Sequence, residues 1–488
     1  MSNLSIRPSP LITPSQLSIP QTLTVDNLDK VLEEKGLYEI AMPLIEKGAD
    51  LNKQDKFGDT ALTRVLKQAA GYHRRALNYK KIAKKLNEYQ KDITLKECLI
   101  KKDDLLEKLS TSKFNTLIDD IEFSVGIDLN ESAYDFVNKE ALKNEKEKLQ
   151  YIELAKLLRN HGADIDMKDF KESSPLMRIF DKLSITKNDL DLIELLLDLN
   201  ADCNVSDNRG LTFLMRLAAD SVKYREKSQN DKYQKRILYL IAILLKNGAN
   251  VNSVDDIGLS ALDYAIIAQN EKIAKFLKKK KAISPNPSFT TSLNNAMDEL
   301  TNNHRDKTAL LKDSSISKAV ASFPNYSSFI EREAFRKYFN IHDAAFFAKK
   351  YSLTVPKITS IKTLNQLLSD SQYEVFYFAA HGKKNKITFT DDFILRKKQI
   401  KELDFSKLNP NALFIIDACI TGATKGIAEK ITKYSKRRVI APIKESTGGL
   451  SEFQYIDDTN QVSVKFVNTD RGELQDITRI IDPSDFNQ

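Results

Sequence analysis

Val375-Phe376-Tyr377-Phe378-Ala379-Ala380 stops at His381-Gly382, and Ala412-Leu413-Phe414-Ile415-Ile416 stops at Asp417-Ala418-Cys419-Ile420-Thr421-Gly422. Both runs are short, rich in aromatic or β-branched residues and bounded by turn formers. Buried strands of a parallel sheet read this way. Residues 393–408 leave room between them for one crossover. Two parallel neighbours then present His381 and Cys419 at the same carboxyl edge, where open α/β sheets place their chemistry. A thiol beside an imidazole supplies a nucleophile and its base.

The pair of motifs resembles the caspase-like cysteine peptidases (clan CD), a group that includes caspases, metacaspases, separases, CHAT domains and the self-cleaving domains of large bacterial toxins. In that family one strand ends in His-Gly and a later one in a small residue and Cys, as in Ala380-His381-Gly382 and Asp417-Ala418-Cys419, 38 residues apart. The resemblance covers about 110 residues, 361–466. It implies a dyad of Cys419 as nucleophile and His381 as general base, with the backbone N–H groups of Gly382 and Cys419 as the oxyanion hole. It also implies a substrate-binding role for Asp417, because metacaspases, which cut after Arg or Lys, carry an acidic residue at that offset. The bland alternatives are a buried structural thiol for Cys419, a strand-end histidine for His381, and a loop-capping carboxylate or a partner of Lys425 for Asp417.

A repeat precedes this domain. Leu44-Ile45-Glu46-Lys47-Gly48-Ala49-Asp50-Leu51-Asn52 is followed by Asp55, Gly58 and Thr60-Ala61-Leu62. The pattern returns at Leu157 to Leu176, Leu195 to Leu214 and Leu244 to Leu262, with Asp169, Asp207 and Asp255 at the turn. Gly closes a helix in the left-handed conformation, Asp shapes the turn, Thr or Ser caps the next helix, and the Leu/Ala positions stack. These segments resemble ankyrin repeats, whose basic period is about 33 residues, and imply a protein partner. Charged amphipathic helices are expected as an insertion at about 67–125. Their clusters His73-Arg74-Arg75, Lys80-Lys81 and Lys84-Lys85 read as a solvated face or, more sharply, a partner-binding finger.

The expected organisation is a multidomain chain. Residues 1–22, rich in Ser and Pro, are disordered; residues 23–281 form an all-α ankyrin solenoid; residues 282–320 are a linker. Residues 321–488 form the caspase-like α/β domain with a mainly parallel sheet, though no first strand stands out upstream of Ile361. His342 reads as a helix-surface residue, and the end of the chain as mobile.

The sequence has 488 residues, a net charge of +8 and three widely separated cysteines, Cys98, Cys203 and Cys419. That usage argues against a disulfide scaffold and for a reducing compartment. No signal-peptide pattern or membrane span is read. No nucleic-acid motif, metal-ligand spacing or phosphate loop emerges; Gly448-Gly449 lacks the required strand and helix context. The expectation is a cofactor-free cysteine endopeptidase whose repeats select a protein target, with an inert adaptor as the alternative. A Lys-, Asn- and Ile-rich chain joining repeats to a peptidase-like domain also resembles effectors that intracellular bacteria secrete into a host cytosol.

Overall fold

The computed structural model describes residues 45–486 apart from 47, 56–57, 91, 102–104, 106–116, 119–120, 122–126, 170–171, 180–186, 221–226, 302–316, 324–336, 391, 446–451, 457–460 and 471–472. The expected disorder at 1–22 and the glycines at 448–449 lie outside the described residues. The chain divides into two compact units, one of residues Met1–Met167 with Lys187–Asn200, the other of Lys168–Thr186 with Ala201–Gln488.

In the first unit, α1 (Ala61–Tyr89) starts at Thr60, whose hydroxyl accepts from the Thr63 N–H. The expected insertion is largely a lengthening of the repeat's own helices. α1 runs on for 29 residues and packs along α3 (Ala133–Asn160), with α2 (Leu95–Ile100) between them in sequence. Tyr79, Ile82, Leu86, Cys98, Leu117, Phe136 and Val137 form one apolar core here. Burial and the neighbouring Glu97 push the Cys98 thiol up to about 12, so it stays protonated. Part of the basic cluster lies along α3: next to the Tyr72–Tyr151 stack, His73 Nδ1 is 3.1 Å from Lys148 Nζ, while Lys80 pairs with Glu145 on the exposed surface. α4 (Lys187–Asp198) packs against α1.

The second unit opens with repeats. α5 (Phe213–Ala218), α6 (Lys227–Lys246), α7 (Ala261–Ile267) and α8 (Glu271–Lys279) follow in order, and turns of one design lead into α5 and α7. Asp207 Oδ1 accepts from the N–H groups of Arg209 and Leu211, and Asp255 Oδ1 from those of Ile257 and Leu259. Gly210 has φ +74°, and a Cβ there would lie 2.7 Å from the Asp256 nitrogen, so successive turns stack backbone on backbone. Asn204 bridges repeats by donating to the Gly248 carbonyl and accepting from the Asn250 N–H. In the first unit Asn52 does the same with Gly162 and Asp164.

Part of the expected linker is ordered. α9 (Pro287–Thr301) buries Leu293 and Met297 and packs on α7, where Thr290 Oγ1 donates to Asp263 Oδ1 at 2.7 Å. Strand β1 (Lys318–Ser322) follows, then α10 (Lys337–Ala348), β2 (Ser352–Thr354), α11 (Ile361–Leu368) and β3 (Tyr373–Ala379). β1 is the strand that could not be read from sequence: five residues, Lys-Ala-Val-Ala-Ser, carry too little pattern.

From β3 the chain makes a small antiparallel sheet of β4 (His381–Lys383), β5 (Lys386–Thr388) and β6 (Ile394–Arg396), then a 3-10 turn, before β7 (Leu413–Asp417). The crossover is therefore a β-meander and a 3-10 turn, not the α-helix of a strand–helix–strand unit. α12 (Ile427–Ser435), β8 (Arg438–Pro442), the hairpin β9 (Glu452–Ile456) with β10 (Gln461–Lys465), the pair β11 (Val467–Asp470) with β12 (Glu473–Asp476), and β13 (Thr478–Ile481) complete the unit. The end of the chain, expected to be mobile, supplies the antiparallel edge strand β13, with Ile481 fully buried.

The main sheet has the order β13-β8-β7-β3-β1-β2, parallel except at β13. Its alternation fixes two faces. Phe376, Phe378, Phe414 and Ile416 pack with Leu364 of α11 and Ile431 of α12. The opposite face carries Tyr377, against which Phe323, Phe347 and Phe453 pack with ring centroids 5.9, 5.1 and 5.5 Å away.

Candidate active site

β3 and β7 are parallel neighbours in the register Ala379↔Asp417, and the Ala380 N–H donates to the Asp417 carbonyl at 3.0 Å. Their carboxyl ends are therefore level, and each proposed dyad member stands two residues beyond this last pair. Gly382 lies directly on the second motif. A Cβ built there would fall 2.7 Å from the Ala418 carbonyl carbon, 2.7 Å from Ala418 Cβ and 2.7 Å from the Cys419 carbonyl oxygen. Only a residue without a side chain lets the two strand ends approach this closely. His381 is exposed, and Gly382, Asp417 and Cys419 are half-buried.

The turn after Cys419 is held on several sides. Thr421 donates from both its N–H and its hydroxyl to the Ala418 carbonyl, the latter at 2.6 Å. Ile420 takes the left-handed conformation at φ +61°, and its N–H reaches the Lys444 carbonyl at 3.0 Å. Gly422 donates to Pro442 O at the end of β8, and Ile427, the first residue of α12, donates to Lys384 O at 2.7 Å. Cys419 is thus a half-buried thiol on a turn held by the backbone of Lys444, Pro442 and Lys384, with the exposed His381 two residues past the end of the neighbouring strand.

Behind this edge lies a polar chain that sequence reasoning missed. Tyr377 Oη donates to Asp343 Oδ2 at 2.8 Å and lies 3.3 Å from Asp417 Oδ2. Arg209 Nη1, from a repeat turn, donates to Asp343 Oδ1 at 2.7 Å. Arg209, Asp343 and Tyr377 are all buried. Burial and the adjacent Asp343 and Asp417 carboxylates raise the Tyr377 phenol well above its ordinary range, so it remains a donor. Burial alone would raise Asp343, but Arg209 and His342 outweigh it and hold that carboxyl low. The available signal was Ile341-His342-Asp343-Ala344, two polar residues inside an apolar helical run.

His342, expected on a helix surface, is 4% exposed, because the repeat turns cover that face of α10. Its Nε2 lies 2.7 Å from Asp256 Oδ1. Asp255, Asp256 and His342 form the one group among the described residues whose ligand atoms could hold a metal ion, a set that no sequence spacing announces. Those atoms already have other bonds: Asp255 accepts from Ile257, Leu259 and Tyr264, and Asp256 bonds His342.

Burial lowers the affinity of His342 for a proton, but the hydrogen bond to Asp256 and the Asp343 carboxylate 3.9 Å from Nδ1 overcome this and raise its pKa above the ordinary 6.5. A raised folded-state value stabilises the fold fully below 6.5, and that contribution is lost as pH climbs through the folded value. The denaturation midpoint of the chain is therefore expected to fall as pH rises above about 6.5, and to fall less in His342→Gln. An identical slope in the variant would contradict this.

A family model for ankyrin repeats, three copies, matches residues 182–289. No curated protein matches the chain. Ankyrin repeats imply protein binding, and the implication attaches to this stretch. No described helix is long and apolar enough to cross a membrane.

Proposed function

We propose that the chain is a cysteine endopeptidase of caspase-like type whose ankyrin repeats bind and select a protein target. The observation that supports this reading is the seating of Gly382 on the backbone of Ala418 and Cys419, at the level carboxyl ends of two parallel strands that are followed by His381 and Cys419. Cys419 Sγ attacks the scissile carbonyl carbon while His381 accepts the thiol proton and then delivers it to the leaving amine. The N–H groups of Gly382 and Cys419 receive the oxyanion. Water, activated by His381, releases the acyl group and regenerates the thiol. No cofactor enters this scheme. The resemblance to secreted effectors supports action in a host cytosol, and strict retention of a tagged chain in the producing cell would remove that part.

The test is labelling of the full chain with an electrophilic peptide probe, read by mass spectrometry. A modified Cys419 that is missing from His381→Ala supports the dyad; an unmodified Cys419 in the parent chain overturns it. A protein-binding adaptor with an inert second domain is the other reading, favoured by the ankyrin match at residues 182–289.

Asp417 makes the specificity of this site testable. Its half-buried carboxylate is suited to a basic side chain before the cut, by charge-assisted hydrogen bonds. Losing a buried charged pair costs about 2–5 kcal/mol, so Asp417→Asn is expected to reduce the preference for Arg or Lys about thirtyfold or more. A peptide library scanned at that position would decide it, and an unchanged profile in the variant would remove Asp417 from the substrate pocket.

A further inference from the structure

The repeat turns of the second unit do not end in open solvent: they dock on the C-terminal sheet. Arg209 enters beneath β3 and bonds Asp343, while Asp256 of the next turn bonds His342 on the same helix, α10. The ring of Phe453 of β9 lies with its centroid 5.9 Å from the Arg209 guanidinium carbon.

We propose that Arg209 of the repeat array is a positioning residue of the Cys419 site, acting through Asp343, Tyr377 and Asp417. This rests on the endopeptidase reading, but its readout is the thiol itself.

One proton couples the two carboxylates. The Tyr377 hydroxyl has a single hydrogen and two carboxylates in reach, Asp343 at 2.8 Å and Asp417 at 3.3 Å. Arg209 neutralises Asp343. Without it Asp343 would be a buried anion with only His342 near it as a counter-charge, 3.9 Å away, and it would hold the Tyr377 proton more strongly against Asp417. Asp417 is the last residue of β7, and its carbonyl also ties that strand to Ala380, one residue before His381. The charge and position of Asp417 therefore reach both ends of the proposed dyad through one residue. Arg209 is itself fixed from the repeat side, where its N–H donates to Asp207 Oδ1 at 3.0 Å and its carbonyl accepts from the Asp256 N–H at 3.2 Å. Repeat geometry is thus transmitted to the strand end by a contiguous set of buried bonds rather than by a flexible tether.

The experiment measures the rate of Cys419 alkylation by iodoacetamide as a function of pH in the full chain, with site-resolved mass spectrometry. Arg209→Met, which keeps the volume of the stem, is expected to slow alkylation about tenfold and to move the midpoint to higher pH. Arg209→Lys, which keeps the charge, is expected to restore most of the rate. Tyr377→Phe should slow alkylation similarly, and combining it with Arg209→Met should add little, since both break one chain of bonds. Should Arg209→Met fail to fold, Arg209→Met with Asp343→Asn removes the stranded charge and still severs the chain. Equal rates and midpoints in the folded variants and the parent would overturn the proposal, as would strict additivity of the two substitutions. An effect of Arg209→Met with none from His381→Ala would keep the positioning role while refuting the dyad. The reverse result would refute the positioning role alone.

Discussion

Cys419→Ala is expected to reduce cleavage of a basic-site peptide by about a thousandfold or more, because a covalent route loses its only nucleophile and the residual rate comes from binding and the oxyanion donors alone. His381→Ala should cost about 10²–10⁴-fold, the range for removing a positioned general base. The two losses should not multiply, because base and nucleophile act as one unit. Cys419 is half-buried, so trimming its Sγ leaves a small gap at the end of β7 and the fold is expected to persist. Capture of a protein partner by the repeats should survive in both variants. Cleavage that persists in Cys419→Ala would remove the nucleophile assignment, and retained binding with unchanged chemistry would favour the adaptor reading.

The second large effect lies in the repeats. Asp207→Ala is expected to destabilise the chain by about 3–5 kcal/mol, the cost of leaving one member of a buried ion pair alone. Arg216 Nη2 meets Asp207 Oδ2 at 2.5 Å, and both side chains are 2% exposed. The same carboxylate also holds the turn through the N–H groups of Arg209 and Leu211. Arg64 makes the equivalent pair with Asp55, but its own side chain is 26% exposed against 3% for Asp55, so water can partly replace it and Arg64→Ala should cost less, about 1–3 kcal/mol. Denaturant unfolding of the full chain would compare them; similar losses would show that burial does not set the value of this pair. The ninth position after each turn Asp carries Arg64, Arg178, Arg216 and Tyr264, a recurrence visible in the sequence but overlooked among the Gly, Asp and Leu signals.

What the sequence determined by itself was local. The turn aspartates, the left-handed glycines and the Thr and Ser caps follow from backbone preferences that act over a few residues, so the repeats were legible one by one. The two apolar runs likewise named β3 and β7, and their turn formers put the strand ends within two residues of His381 and Cys419. The tertiary structure decided what depends on partners distant in sequence. β1 became a central strand because β2 and β3 flank it, although its five residues carry little pattern. β13 became an edge strand because β8 offered one. His342 and Asp343 became buried because repeat turns cover α10 and supply Asp256 and Arg209 as partners, the latter 134 residues away in sequence. A polar residue signals its burial only when its partner is known, since burial without a hydrogen bond or counter-charge would be too costly. That partner is a property of the folded chain.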